Sequence, residues 1–204
     1  MRRIFLYFIM AVFSAASAMA QFADVAVNTP DVNLGIKVAH QNGDTVRITP
    51  ITYEKMKAGT GSFLSGMTYG ITKTKSKNVY KGKHSVNQLK VGDKFIFMFG
   101  EVPEAYEDVY GAFSPSHSIR NFTLCKMDVK KKTRELTTME SNLWSSSDIG
   151  AKANEDVKFE VTSPAVGVYE ATITEAKPGE YCFIFNDAGA VSAFLGVFDF
   201  GIAE

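Results

Sequence analysis

Pro178-Gly179-Glu180-Tyr181-Cys182-Phe183-Ile184-Phe185-Asn186 decides how this chain is read. A Pro-Gly turn leads into aromatic, β-branched and thiol side chains, and Asn186-Asp187 closes the run, which is the pattern of a strand bounded by turn signals. Alternation places Tyr181, Phe183 and Phe185 on one face, with Cys182 and Ile184 on the other. Both faces are apolar, so the strand is expected to be buried on both sides, in the middle of the fold. Lys94-Phe95-Ile96-Phe97-Met98-Phe99 has the same composition, and the two are expected to lie together at its heart.

Outward from these two runs the chain reads as short strands. Leu34 to Ala39 and Thr45 to Thr49 alternate on either side of an Asn42-Gly43 hairpin signal. Ile51 to Ala58 is ambiguous and compatible with one turn of helix. Tyr69 to Lys73, Asn78 to Lys81 and Ser85 to Val91 read as strands. Glu101 to Ser118 is a long loop, Arg120 to Val129 a strand, Lys130-Lys131-Lys132 a solvated turn and Thr133 to Met139 its partner. A polar connection from Glu140 to Asn154 carries Trp144, and strands follow at Asp156 to Thr162, Gly167 to Thr174 and Phe194 to Phe200. Short strands punctuated by turns at this spacing predict an all-β antiparallel β-sandwich. An outer-membrane barrel would need longer strands with one polar face, which the runs at Phe95 and Tyr181 do not have.

Composition narrows the function classes. The 22 basic residues balance 22 acidic ones, so no charge excess draws the chain to nucleic acid or to an anionic membrane. Arg2 and Arg3, the apolar run from Ile4 to Phe13 and the small residues ending Ala18-Met19-Ala20 read as a secretory signal peptide cleaved after Ala20. The apolar run is about half of the roughly 20 residues that a membrane span requires. Export to the periplasm or the extracellular space is therefore expected, without a membrane span in the mature chain. The expected organisation is a signal peptide (1–20), a small β-rich N-terminal part (21–82) and a sandwich domain (83–204).

Export changes how the two cysteines are read. Cys125 and Cys182 both sit in apolar strand contexts, and an oxidising compartment lets a disulfide between them persist. The alternative is a pair of buried free thiols acting as small hydrophobes. Neither has a His or second Cys at ligand spacing, so no metal or catalytic role is assigned to them.

Several short motifs occur in order: Asn121-Phe122-Thr123-Leu124, Lys130-Lys131-Lys132-Thr133-Arg134-Glu135-Leu136, Pro178-Gly179-Glu180-Tyr181 and Phe198-Asp199-Phe200-Gly201-Ile202. Over Leu34 to Ile202 this set resembles a group of uncharacterised secreted β-sandwich proteins of Gram-negative, Bacteroidetes-like bacteria. The resemblance implies export and fold, and brings no activity and no functional residues. The chain also resembles immunoglobulin-like domains loosely, because a Tyr after a turn enters a core strand. It departs from them where Tyr181 directly precedes Cys182 and Trp144 lies in a polar connection.

No catalytic constellation is visible. His40, His84 and His117 occupy separate turn-like segments without ligand spacing. Ser116-His117-Ser118 is not a triad by adjacency alone, and no Gly-x-Ser-x-Gly elbow or phosphate loop is present. Long loops on rigid scaffolds often carry function, and Glu101 to Phe113 is acidic and aromatic. Its carboxylates Glu104, Glu107 and Asp108 match no calcium-loop spacing. Tyr106 and Tyr110, with Trp144, can form a stacking platform for a sugar or peptide, or tuck back against the sandwich. The expected function is a non-enzymatic structural or binding module of the periplasm or cell surface, without a cofactor or metal. Its expected partner is an envelope protein or glycan, with carbohydrate or peptide binding through the aromatic loop as the alternative.

Overall fold

The computed structural model describes residues 33–58, 74–142, 145–149, 157–175, 177–186 and 196–203. The expected signal peptide, the expected strand at Tyr69 to Lys73 and Trp144 lie outside them. Among the described residues, β1 (Gly35–Ala39), β2 (Thr45–Ile48), β6 (Lys94–Met98), β10 (Lys158–Ala165) and β11 (Val168–Glu175) form one sheet in the order β10-β11-β6-β1-β2. The second sheet runs β3-β4-β8-β7-β12-β13-β5. Its strands are β3 (Lys55–Ala58), β4 (Thr74–Lys81), β5 (Gln88–Leu89), β7 (Phe122–Val129), β8 (Thr133–Asn142), β12 (Gly179–Phe185) and β13 (Phe198–Ile202), and β9 (Ser145–Ile149) pairs with β8 alone. Pairing is antiparallel throughout except between β13 and β5. The protein is an all-β sandwich.

Phe95 and Phe97 of β6 face Phe183 of β12 across the sheets, with ring centroids 5.0 and 5.1 Å apart and nearly perpendicular planes. Edge-to-face packing of this kind is the arrangement the ring quadrupoles favour. Ile36, Val38, Phe122, Leu124, Tyr181 and Phe200 belong to the same inter-sheet core. Tyr181 enters β12 at the turn, and its hydroxyl donates to Lys177 O at 2.7 Å, pinning the turn to the strand.

The other face of β12 is buried by the same sheet folding over itself. β7 and β8 share only two register pairs, Asp128↔Glu135 and Val129↔Arg134, while β8 pairs with β4 along most of its length. The β8–β4 wing therefore swings across the outer side of β7 and β12. A second core forms there from Tyr80, Cys125, Met127, Leu136, Cys182, Ile184 and Val197. This layer is why β12 is apolar on both faces.

Several expectations shift. Ile51 to Ala58 holds strand β3 rather than a helical turn, since Lys55 to Ala58 finds β4 as a partner. The Glu140 to Asn154 connection is not all loop, because β8 continues to Asn142 and meets β9. Ser85 to Val91 narrows to Gln88–Leu89. There Ser85 Oγ and Asn87 Nδ2 both donate to Asp199 O (3.2 and 3.0 Å), a side-chain claim on backbone that competes with a ladder. A division of the chain at residue 82 would cut both sheets, because β1 pairs with β6 and β4 with β8.

Turn chemistry fixes two hairpins. At Gly167, φ is +72° and an added Cβ would stand 2.5 Å from Phe99 O, so only glycine fits the β10–β11 turn. In the turn before β6, buried Asp93 accepts from Lys90 N–H (3.0 Å) and, from the β1–β2 turn, from His40 Nδ1 (2.8 Å) and Gln41 N–H (3.3 Å), clamping the two turns together. Burial alone would push this carboxyl up, yet the bonds from Lys90, His40 and Gln41 outweigh it and hold its pKa below the ordinary value. The sign follows: this stabilisation is complete above the unfolded carboxylate pKa of about 3.9 and is lost as pH falls through the lower folded value. Asp93→Asn is expected to cost about 1–2 kcal/mol at neutral pH and to flatten the acid limb of stability below roughly pH 4. Urea titrations of both proteins across that range check it.

Candidate functional site

The loop from Glu101 to Ser118 is built of consecutive helical turns. A 3-10 turn at Glu104–Tyr106 leads into one α-helical turn, α1 (Glu107–Tyr110), then another 3-10 turn at Gly111–Phe113. Gly100 N–H donates to Phe113 O at 3.0 Å and ties the two ends together. Tyr110 and Phe113 stand three residues apart, which puts them on one side of the helical path. Both are buried in the inter-sheet core (4% and 0% exposed), and half-buried Tyr106 packs against it. Tyr110 thus offers no stacking surface, and these aromatics tuck back against the sandwich. Glu104, Glu107 and Asp108 fall on the opposite, exposed side.

What the segment does shape is a cleft of about 380 Å³. Glu107 and Asp108 of α1 line it together with Ser114, Ser116 and His117 from the following turn, and Phe185 and Phe198 from the ends of β12 and β13. Glu104 is not part of it. The His117 ring stands edge-on to Phe185 at 4.8 Å. Ser114 Oγ lies 2.9 Å from His117 Nδ1 and 2.8 Å from Ser116 Oγ, and the same Nδ1 lies 3.3 Å from Gly111 O. A carbonyl can only accept, so it is the Nδ1-protonated tautomer that bonds Gly111 O, whereas the Nε2-protonated tautomer takes the Ser114 proton. The cleft combines apolar rings with hydroxyls, an imidazole and two carboxylates, and no Lys or Arg is among the described residues that line it.

A second polar cluster lies in the core, and the residues that build it come from three of the motifs quoted above. Arg134 of β8, Glu180 of β12 and Asp199 of β13 all face the second core layer, with side chains at most 5% exposed. Arg134 Nη1 donates to Asp199 Oδ2 and, at 3.5 Å, to Glu180 Oε2, while Nη2 donates to Lys81 O at 3.1 Å. Glu180 also accepts from Ser85 N–H (2.8 Å) and pairs with His84 Nδ1 (3.0 Å). Nearby, Glu135 bridges Lys57 (2.6 Å) and Lys77 (3.4 Å), which stand directly opposite one another in β3 and β4. Lys57 and then Lys77 hold its pKa below the ordinary value against the opposing effect of burial.

Sequence reasoning named Glu107 and Asp108 of the cleft but not the rings of Phe185 and Phe198 beside them, and it missed the Arg134 cluster as a site. A charged residue between two aromatics, as in Phe198-Asp199-Phe200, was the available signal, since it placed a carboxylate inside a strand with a buried face. His40 and His84 are turn residues with carboxylate partners, Asp93 and Glu180. No cluster of three or more potential metal ligands occurs among the described residues, and no described helix is long and apolar enough to cross a membrane. Cys125 and Cys182 are both buried free thiols, the second of the two alternatives, and no bond joins them in this structure. Comparison with protein-family models, with curated proteins and with solved structures finds no match.

Proposed function

We propose that this chain is an exported, non-enzymatic binding module of the periplasm or cell surface, and that the cleft beneath α1 seats its ligand. One observation carries the reading: a cleft of about 380 Å³ joins the rings of Phe185 and Phe198 to a rim of hydroxyl, imidazole and carboxylate groups. Sites of this kind bind by apolar contact and are oriented by a few placed polar groups. Carboxylates and serine hydroxyls suit the hydroxyl groups of a neutral glycan, whose C–H faces suit the rings. An anionic ligand would meet Glu107 and Asp108 without an Arg or Lys among the described lining residues to offset them. Export rests on the residues from Arg2 to Ala20.

Titration calorimetry of the mature protein against neutral oligosaccharides and soluble peptidoglycan fragments tests the assignment. Binding is expected, and Asp108→Ala and His117→Ala are each expected to weaken it about tenfold, the loss of one good hydrogen bond to a charged or polar partner. Flat isotherms across the panel, or binding that both variants leave unchanged, would remove the cleft from consideration. A hydrolase or transferase activity abolished by either substitution would overturn the non-enzymatic reading. N-terminal sequencing of protein recovered from the producing cells is expected to begin at Gln21.

A further inference from the structure

The balance of charge over the whole chain conceals a separation of charge between the two ends of the sandwich. β4 ends at Lys81, which stands opposite Thr133 at the start of β8. The Lys130-Lys131-Lys132 turn joins β7 to β8 there, closed by Lys130 N–H donating to Thr133 O at 2.8 Å. Lys83 follows β4, and Lys177 precedes β12. The Arg134 cluster gathers these turns, because Arg134 donates to Lys81 O and Glu180, and Glu180 also holds His84 Nδ1 and Ser85 N–H. All six lysines are exposed, and none forms an ion pair with a described residue. Against them at this end of the sheet stand Glu54 and Asp128, and Asp128 is already held by Lys77 at 2.7 Å. The cleft beneath α1 lies at the opposite end, where β12 finishes at Phe185 and β13 starts at Phe198. Glu101, Glu104, Glu107 and Asp108 are exposed there, with Arg120. The seven residues of β12 set the two ends about 20 Å apart.

We propose that the lysine-bearing end is a docking surface for an anionic phospholipid bilayer, with the cleft turned away from it. The lysines sit on separate turns at the ends of β4, β8, β7 and β12, which are neighbours in the sheet and span about 14 Å. Cations spread over a blunt end meet a plane of phosphates together, whereas a single anionic strand needs them aligned along one groove. Val91 and Val129, each next to a lysine in sequence, are exposed at the same end. Apolar side chains beside lysines fit the boundary between headgroups and acyl chains, where apolar burial adds to the attraction of anionic lipid. The carboxylates at the other pole are repelled by the same surface, so the charge separation orients the protein as well as holding it.

The contact lies on the side of the β12 sheet. At this end the exposed carboxylates Asp44 and Glu175 stand at the start of β2 and the end of β11, in the other sheet. Each lysine near an anionic surface contributes modestly and the contributions add, so the attachment is reversible and is screened by salt. The buried Arg134 cluster serves this surface by fixing the turns that carry Lys81, Lys83 and Lys177 against one another.

The experiment sediments the mature chain with vesicles of phosphatidylcholine alone and of equimolar phosphatidylcholine and phosphatidylglycerol, at salt concentrations from about 0.05 to 0.5 M. Binding is expected to the anionic vesicles only, and is expected to be lost at the highest salt. Lys131→Gln is expected to weaken it about fivefold, and Lys130→Gln, Lys131→Gln and Lys132→Gln together about a hundredfold. The urea midpoint of the triple variant is expected to match that of the parent, because these side chains are solvated. Arg120→Gln, the same change of charge at the cleft end, is expected to leave the affinity within about twofold. No binding at low salt, equal binding to both kinds of vesicle, or binding that the triple variant leaves unchanged overturns the proposal. Equal losses from Lys131→Gln and Arg120→Gln also overturn it, since net charge and not this surface would then be responsible. Tighter retention by dextran sulfate than by the anionic vesicles overturns the bilayer as partner and assigns the surface to a soluble polyanion.

Discussion

Arg134→Met is expected to lower the free energy of unfolding by about 3–5 kcal/mol, the range for breaking a buried ion pair by removing one partner. Arg134 is the guanidinium through which β8 holds Glu180 of β12 and Asp199 of β13, and all three side chains are at most 5% exposed. Methionine fills much of the stem volume but leaves two carboxylates in the second core layer. Ser85 N–H and His84 then remain on Glu180. The position matters because β7 and β8 share only two register pairs, one of which is Val129↔Arg134. Losing the cluster there loosens the fold-over that buries the outer face of β12. A triple variant, Arg134→Met with Glu180→Gln and Asp199→Asn, is expected to recover most of the loss, because it removes the uncompensated charges along with their partner. Urea unfolding of the single and triple variants measures both quantities. A loss below about 1 kcal/mol for the single variant would mean that water reaches the cluster and that it does not hold the wing.

Phe183→Ala is expected to cost a similar amount, about 3–5 kcal/mol, by a different mechanism. Phe183 is 1% exposed, and its ring lies 5.0, 5.1 and 5.5 Å from those of Phe95, Phe97 and Phe200. Truncation removes the ring that joins the two sheets at the centre of the inter-sheet core. Its neighbours belong to paired strands on both sides, so the strands cannot collapse into the space without breaking ladders. Phe159 packs on the same ring from the edge of the core at 6.4 Å and is only half-buried. Phe159→Ala is accordingly expected to cost less than half as much. Thermal and urea unfolding of the two variants side by side provide the check. Equal losses would show that the core has no energetic centre at Phe183.

These two residues also mark how far sequence reaches in this protein. Phe183 was legible as core from its run alone, because alternation within a strand is a local property and both of its faces were apolar. The hairpin at Asn42-Gly43, the strand at Lys94 and its meeting with β12 follow from equally local patterns. Arg134 read as a residue of the strand that follows a solvated basic turn. Nothing within a few residues of it indicates burial, since its carboxylate partners stand far along the chain in β12 and β13 and come beside it only through strand pairing. Tyr110 shows the same limit from the other side. An aromatic in a long acidic loop is compatible with a surface platform, and only the turn-by-turn helical path, which sets Tyr110 beside Phe113, sends it into the core.

The stretch from Pro178 to Asn186 holds both halves of this division. By itself the sequence determined that it is a strand, that the fold is an all-β sandwich and that this strand lies at the centre. The tertiary structure alone decided what covers each face: β6 over Tyr181 and Phe183, and the folded-over β8–β4 wing over Cys182 and Ile184. It also decided that Cys182 stands opposite Cys125 and that Glu180 meets Arg134. The physical reason is register. A shift of one residue exchanges every inward and outward side chain of a strand, and register between distant strands is settled by the summed packing of both cores, which no local run of residues encodes.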